Sequence, residues 1–170
     1  MGRINMERRS FMKLALATVS VFTLNRIFTM EKAMAADEKI EKITKPDAEW
    51  KKELPMDSYE VLRHEGTERP FTSPLNEEKR EGTFACAGCG LPLFPSKYKY
   101  NSGTGWPSFF DVIPGHVETR SDHKLFMERT EYHCARCGGH QGHVFEDGPA
   151  PTGLRYCNNG IALKFIPNKG

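Results

Sequence analysis

Two short stretches of this chain repeat one arrangement, C-A-G-C-G at residues 86–90 and C-A-R-C-G at 134–138. In each, two thiols three positions apart precede a glycine, the form of a knuckle that turns both sulfurs toward one point. Two such knuckles supply four soft thiolates, a closed tetrahedral set suited to Zn2+. Cys86, Cys89, Cys134 and Cys137 are therefore the candidate ligands of one structural zinc ion per chain. Gly90 and Gly138 are expected where a Cβ would crowd the sulfurs. The 44 residues between the pairs exclude a compact zinc finger, so the ion would tie together two β-hairpins distant in sequence. Two disulfides, two redox C-x-x-C motifs and an iron site are the alternatives. Disulfides suit an exported protein, but they do not require the repeated C-x-x-C-G form. Neither pair has the Trp or Pro context of a thioredoxin motif. Iron also accepts four thiolates, and ranks third.

If a metal takes four thiols, Cys157 in G-L-R-Y-C-N (153–158) is left over. A free cysteine is often no more than a small buried hydrophobe. Here its neighbours point to reactivity. Arg155 lies two residues earlier, on the same side of a strand, where a cation stabilises a thiolate. Asn159 lies two residues later and could hydrogen-bond a reacting oxygen. The segment G-G-H-Q-G-H-V-F-E-D-G adds His140 and His143, better placed for acid–base work than a lone histidine, with metal ligation as the alternative. In S-G-T-G-W-P-S-F-F (102–110), Trp106 and Phe109 form an aromatic wall in loop-like sequence, suited to the apolar part of a small ligand. Folding of Trp106 onto the core is the competing expectation.

The elements that must position these groups are short. The chain has 170 residues, enough for one domain with its own core. Its formal charge of +2 is unevenly placed: residues 1–35 hold six Lys/Arg against two acids, leaving 18 basic and 20 acidic residues in the rest. The remainder makes no electrostatic case for nucleic acid. Residues 1–35 read as an address, with paired Arg8-Arg9 in E-R-R-S-F-M-K, an apolar run from Leu14 to Leu24, and Ala33-Met34-Ala35. That order is expected of a secretory signal of twin-arginine type with cleavage after Ala35; an uncleaved anchoring helix is the alternative. The run is too short to span a bilayer, so no stable membrane span is expected after cleavage. The twin-arginine route carries folded proteins, often with a cofactor installed, and implies an exported protein of the bacterial periplasm. Residues 36–45 read as a charged linker, and 46–170 as the domain.

Pro46 opens a helical pattern with Trp50 and Leu54. Asp57 or Ser58 can cap a second helix bearing Tyr59, Leu62 and Arg63, with Gly66 as its end. Residues 67–80 read as an ordered loop. Beyond Gly82, strands are expected at Thr83–Cys86, Lys124–Cys134, His143–Phe145 and Ile161–Ile166. The fold class is mainly antiparallel β with short N-terminal helices.

These motifs together resemble the B-type methionine sulfoxide reductases, which reduce the R epimer of methionine sulfoxide in proteins. The resemblance runs from about Trp50 to Phe165. It is carried by G-T-E-R-P-F (66–71), C-A-G-C-G-L-P-L-F (86–94), S-G-T-G-W-P-S-F (102–109), R-C-G-G-H-Q-G-H-V-F-E-D-G-P (136–149) and P-T-G-L-R-Y-C-N-N (151–159). It implies two antiparallel β-sheets stapled by a zinc site of four cysteines. It implies Cys157 as nucleophile, passing through a sulfenic acid, with His140, His143 and Asn159 around the substrate oxygen. Trp106 would receive the substrate methyl group, and Arg155 would help poise the cysteine. Oxidised proteins and peptides would be the substrates. Many members carry a second cysteine where this chain has Thr104, so an external reductant, a thioredoxin-like protein or a small thiol, is expected to regenerate Cys157. Gly160, a serine in many members, is a second departure. A zinc-ribbon-like protein-binding module with an inert fifth cysteine is the alternative, and fast alkylation of Cys157 at neutral pH is the expected discriminator.

Overall fold

The computed structural model describes residues 40–123 and 128–169. The expected signal at 1–35 and residues 124–127 of the expected strand Lys124–Cys134 lie outside them. Helix α1 spans Asp47–Glu53 and helix α2 Met56–His64. Pro46 precedes α1, and Trp50 is buried. Leu54 does not continue the helix: it is extended, because Pro55 excludes the residue before it from the helical region. Pro55 itself stands at the start of α2, so neither Asp57 nor Ser58 is the cap. Ser58 Oγ instead donates to Ile161 O, 2.9 Å away. The helix ends at Glu65, which takes a left-handed φ of 56°. Gly66 follows it and closes the turn by donating to Glu60 O (3.0 Å). Residues 40–45, expected as linker, have no regular secondary structure. Yet Ile40 and Ile43 pack on the core, and Ile43 N–H donates to Arg136 O (2.7 Å).

The strands among the described residues are β1 Gly82–Cys86, β2 Pro92–Pro95, β3 Lys99–Tyr100, β4 Ser108–Phe109, β5 Val117–Asp122, β6 Arg129–Cys134, β7 His140–Phe145, β8 Arg155–Asn158 and β9 Leu163–Pro167. They form two antiparallel sheets, β2-β1-β9 and β3-β4-β8-β7-β6-β5, as expected for the fold class. The expected strands all shift at their bounds: β1 and β7 begin one and three residues early, β9 begins two residues late and ends one late, and β6 begins at Arg129, with Glu128 outside it. Ile161 lies not in β9 but in a short 3-10 turn, Gly160–Ala162. Strands β2 to β5 and β8 carry too few apolar residues, or are too short, to announce themselves by alternation.

The core between the sheets is aromatic. Phe94 stacks on Phe109 (centroids 4.1 Å apart, planes 8°), Phe84 meets Phe109 edge-on, and Tyr132 meets Phe94 edge-on. Such pairs favour offset or edge contacts because of the ring quadrupole. Phe109 is 0% exposed, and this corrects its assignment to the substrate wall: it points from β4 into the core.

The two knuckles join the sheets. The first turns between β1 and β2, the second between β6 and β7. Gly90 N–H donates to Cys86 O and Gly138 N–H to Cys134 O, both at 2.9 Å. Gly90 and Gly138 have φ of 76° and 67°. Beyond the adjoining residues, a Cβ on Gly90 would meet only Lys164, and one on Gly138 nothing within 4 Å. The left-handed backbone is what favours glycine at both positions.

Candidate active site and metal centre

Cys86, Cys89, Cys134 and Cys137 bring their sulfurs within 4.8 Å of one another. Cys89 and Cys134 place their sulfurs 3.5 Å apart, and Cys86 and Cys137 3.7 Å apart. A tetrahedral ion with Zn–S bonds of about 2.3 Å sets its sulfurs roughly 3.8 Å apart, so the quartet fits zinc. All five cysteines are free thiols, which removes the two-disulfide alternative for this fold. The donor set is complete without histidine. His140 and His143 face elsewhere.

Cys157 lies on β8, in the six-stranded sheet. One row of directly opposed residues crosses that sheet: Ser108 on β4, Cys157 on β8, His143 on β7 and Glu131 on β6. Opposed residues share a face of the sheet, so strand register sets Cys157 beside His143. His140 joins them through an irregularity. Between Tyr132 and His133 the register with β7 slips by one residue, with Tyr132 facing Gly142 and His133 facing His140. In a regular strand, residues three apart face opposite ways. The bulge turns His140 to the same side as His143, with ring centroids 5.6 Å apart.

Each histidine is held by a carboxylate that no motif in the sequence singles out. His140 Nδ1 donates to Glu131 Oε1 and His143 Nε2 to Asp122 Oδ2, both at 2.7 Å. A carboxylate only accepts, so each of these ring nitrogens carries a hydrogen, and on His143 the other ring nitrogen is an acceptor while the ring is neutral. Burial opposes ionisation of Glu131, but hydrogen bonds from His133 and His140 outweigh it and hold its carboxyl at about 2. Burial pushes the His143 imidazole below its ordinary value against the pull of Asp122, which favours the neutral ring. Asp122 also accepts from Arg129 Nη2 (2.6 Å). Asp122 stands 21 residues from His143, and no local pattern links them.

A cavity of about 240 Å3 opens over this row, lined by Cys157, His143, Trp106, Thr67, Arg129 and Phe145, among others. Trp106 is half-buried, and its Nε1–H donates to Glu68 O (3.0 Å), which presents the indole face to the cavity instead of the core. Phe145 lies two residues after His143 on the same face, a position that strand alternation could have revealed. Asn159 lines the cavity, but its amide is engaged: Oδ1 accepts from Glu68 N–H (2.9 Å) and Nδ2 donates to Gln141 O (3.0 Å). It braces the loop beside the cysteine.

Glu68 is the centre of that brace. Its Oε2 accepts from Gly160 N–H (2.5 Å), and a Cβ on Gly160 would stand 1.8 Å from Ser73 Oγ. Glycine at 160 thus answers to the close approach of Ser73 in this chain.

Arg155 and Cys157 share a face of β8 as expected. The Arg155 guanidinium makes a forked pair with Asp147 (2.7 and 2.8 Å) and lies 4.3 Å from the Phe145 ring centre. Burial pushes the Cys157 thiol up, and this outweighs the opposing Arg155 charge and the hydrogen bonds from Thr104 and Arg155. The resting thiol is therefore protonated at neutral pH. Fast labelling at neutral pH is therefore not expected of this thiol, and the labelling rate at that pH does not separate the reductase from a protein with an inert fifth cysteine. Alkylation of Cys157 by iodoacetamide in the zinc-loaded protein should be slower at pH 7 than that of a free cysteine. It should keep rising with pH beyond the ordinary thiol range. A plateau reached below pH 7 would contradict this.

Thr104 reaches Cys157, and its hydroxyl also pairs with Ser102 Oγ at 2.9 Å. The position at which the resemblance implies a second cysteine in other members is thus adjacent to the thiol, and here it offers no sulfur.

The SelR domain family matches residues 54–167. A peptide methionine sulfoxide reductase MsrB of Methanosarcina barkeri is 54% identical over 124 residues, covering 72% of this chain and 87% of that protein. One of Leptospira interrogans is 52% identical over 124 residues, covering 72% and 95%. One of Pseudomonas putida is 52% identical over 133 residues, covering 77% and 99%. With a complete cysteine quartet and a separate cavity thiol facing a histidine, this chain belongs to the SelR-domain family of B-type peptide methionine sulfoxide reductases.

Proposed function

We propose that this protein reduces methionine-R-sulfoxide in oxidised polypeptides through Cys157. The family's activity is the reversal of methionine oxidation. The observation that carries it to this chain is the placement of Cys157, free of the metal quartet, against His143 in a cavity walled by Trp106. The indole would take the substrate's S-methyl group, leaving the sulfoxide sulfur over Cys157 and its oxygen toward His143, with His140 buried behind it and outside the cavity lining.

The raised thiol and the lowered imidazole define where the proton starts. Cys157 carries it at rest, and neutral His143 accepts it as substrate enters. The Cys157 sulfur then attacks the sulfoxide sulfur while the proton passes from the imidazole to the oxygen, an otherwise poor leaving group. The substrate S–O bond breaks as the protonated oxygen moves to the Cys157 sulfur, and the S–S bond made in the attack breaks with its electron pair left on the substrate sulfur, so that Cys157 ends as a sulfenic acid. The substrate sulfur gains two electrons and departs as methionine. A thiol of an external reductant next attacks the sulfenic sulfur, releasing water and leaving a mixed disulfide. A second thiol completes the reduction and frees Cys157. Zinc, held by the four other cysteines, supplies the structural tie between the sheets.

The test is a peptide bearing both sulfoxide epimers, mixed with reduced protein at one equivalent and no added reductant. One epimer should disappear and Cys157 should gain a single oxygen. Consumption of both epimers, or a disulfide within the chain involving Cys157, would overturn the assignment.

We also propose that the chain works outside the cytoplasm, on the strength of Arg8-Arg9, the apolar run and Ala33-Met34-Ala35. Among the described residues no helix is long and apolar enough to cross a membrane. Cell fractionation should recover the chain shortened after Ala35 from the periplasm. Recovery only of full-length cytoplasmic protein would refute export.

A further inference from the structure

The motif G-T-E-R-P-F ends on a residue that the chemistry above does not use. Phe71 has φ of 64°, a left-handed conformation rare for a bulky side chain. Its ring is 74% exposed, the largest value for a large hydrophobic residue among the described residues. Its backbone is pinned to the loop that carries Trp106. Phe71 N–H donates to Gly105 O (2.7 Å), and a Cβ on Gly105 would stand 2.8–2.9 Å from Pro70 and Phe71. Neither packing nor backbone preference accounts for an aromatic ring held in water in this way, and such outliers cluster at ligand contacts.

Phe71 borders a second cleft of about 280 Å3, and Trp106 lines both this cleft and the catalytic cavity. The two spaces therefore neighbour one another across the indole. Asn76, Tyr100 and Asn101 also line the cleft. Asn76 Nδ2 donates to Gly105 O and Asn101 Oδ1 accepts from Gly103 N–H. Asn76 Oδ1 and Asn101 Nδ2 have no partner among the described residues. They offer one acceptor and one donor, the complement of a passing peptide unit. The Tyr100 hydroxyl is buried and also without a partner among the described residues.

We propose that this cleft receives the polypeptide flanking the oxidised methionine, with Phe71 as its apolar contact and the Asn76 and Asn101 amides meeting its main chain. The proposal rests on the reductase reading, since Trp106 lines both the cleft and the cavity that takes the sulfoxide. It assigns Phe71 to recognition of the polypeptide beyond the reacting side chain.

Phe71→Asn is the informative variant, because asparagine tolerates the left-handed backbone while removing the ring. Single-turnover methionine formation without reductant would be followed on two substrates. One is a decapeptide with central methionine-R-sulfoxide, the other N-acetyl-methionine-R-sulfoxide amide, which has no flanking residues. Loss of an exposed aromatic anchor should lower the second-order rate on the decapeptide about tenfold. The small substrate should stay within about twofold of the parent, and Phe71→Tyr should retain the parent rate on both. Equal losses on both substrates would show that Phe71 only shapes the Trp106 loop. No loss on the decapeptide would remove Phe71 from substrate recognition. That result together with a higher KM for a thioredoxin-like reductant would give the cleft to the reductant instead. If the parent protein reduced neither substrate, the reductase reading itself would fall.

Discussion

Replacing Cys157 by serine is expected to abolish sulfoxide reduction, by at least about a thousandfold, while leaving a folded, zinc-loaded protein. The serine oxygen is nearly isosteric with the sulfur, and Cys157 stands apart from the metal quartet, so melting temperature and zinc content should hold. What disappears is the electron pair that takes the sulfoxide apart. A hydroxyl beside His143 can be deprotonated, but it cannot accept the sulfoxide oxygen, because no oxygen analogue of a sulfenic acid is accessible. Mass analysis of the two-epimer assay provides the check: the variant should form no methionine and gain no oxygen. Turnover persisting in Cys157→Ser would require another thiol, and the remaining four are the metal's. That single result would dissolve the division of the cysteines into a quartet and a nucleophile.

Removal of the metal should act on the fold. Structural zinc contributes on the order of 10 kcal/mol in small domains, comparable to the whole stability of a typical domain, about 5–15 kcal/mol. Here the ion would bind β1 of the smaller sheet to β6 of the larger, across residues far apart in sequence. Cys89 is the most suitable ligand to replace, because it is half-exposed while Cys86 and Cys134 are fully buried. Cys89→Ser thus removes a ligand without opening a core cavity. The parent should contain one zinc per chain. Either the variant or a strong chelator should erase the near-ultraviolet circular dichroism of the Phe84, Phe94, Phe109 and Tyr132 cluster. A metal-free chain that melts at the parent temperature would show that the quartet is not a structural site.

The contrast between these two experiments follows from geometry. The thiolates that hold the metal are fixed by short local turns, whereas the reacting thiol is placed by strands drawn from separate parts of the chain.

That difference also separates what could be read from residues alone. The C-x-x-C-G knuckles were legible because a ligand pair is a local object: a short piece of chain and one left-handed glycine aim both sulfurs. Cys157 was legible by subtraction, and Arg155 by the two-residue period of a strand. Trp106 was legible as an aromatic in a glycine-rich loop, although only the bond from its indole nitrogen to Glu68 O decides that it faces the cavity. Phe109 in the same motif looked equivalent, and strand pairing sent it into the core.

Tertiary structure alone brought His143 opposite Cys157, turned His140 through a bulge, and supplied Asp122 and Glu131 as their carboxylates. Register between strands is a long-range choice, and no spacing along the chain encodes it. The protonation of the site belongs to the same class. Arg155 beside Cys157 in sequence suggests a thiolate, but burial sets the balance, and burial is a property of everything packed around the sulfur. The sequence by itself determined which side chains could do the chemistry. Only the folded sheets decided which of them meet, and which proton each one holds.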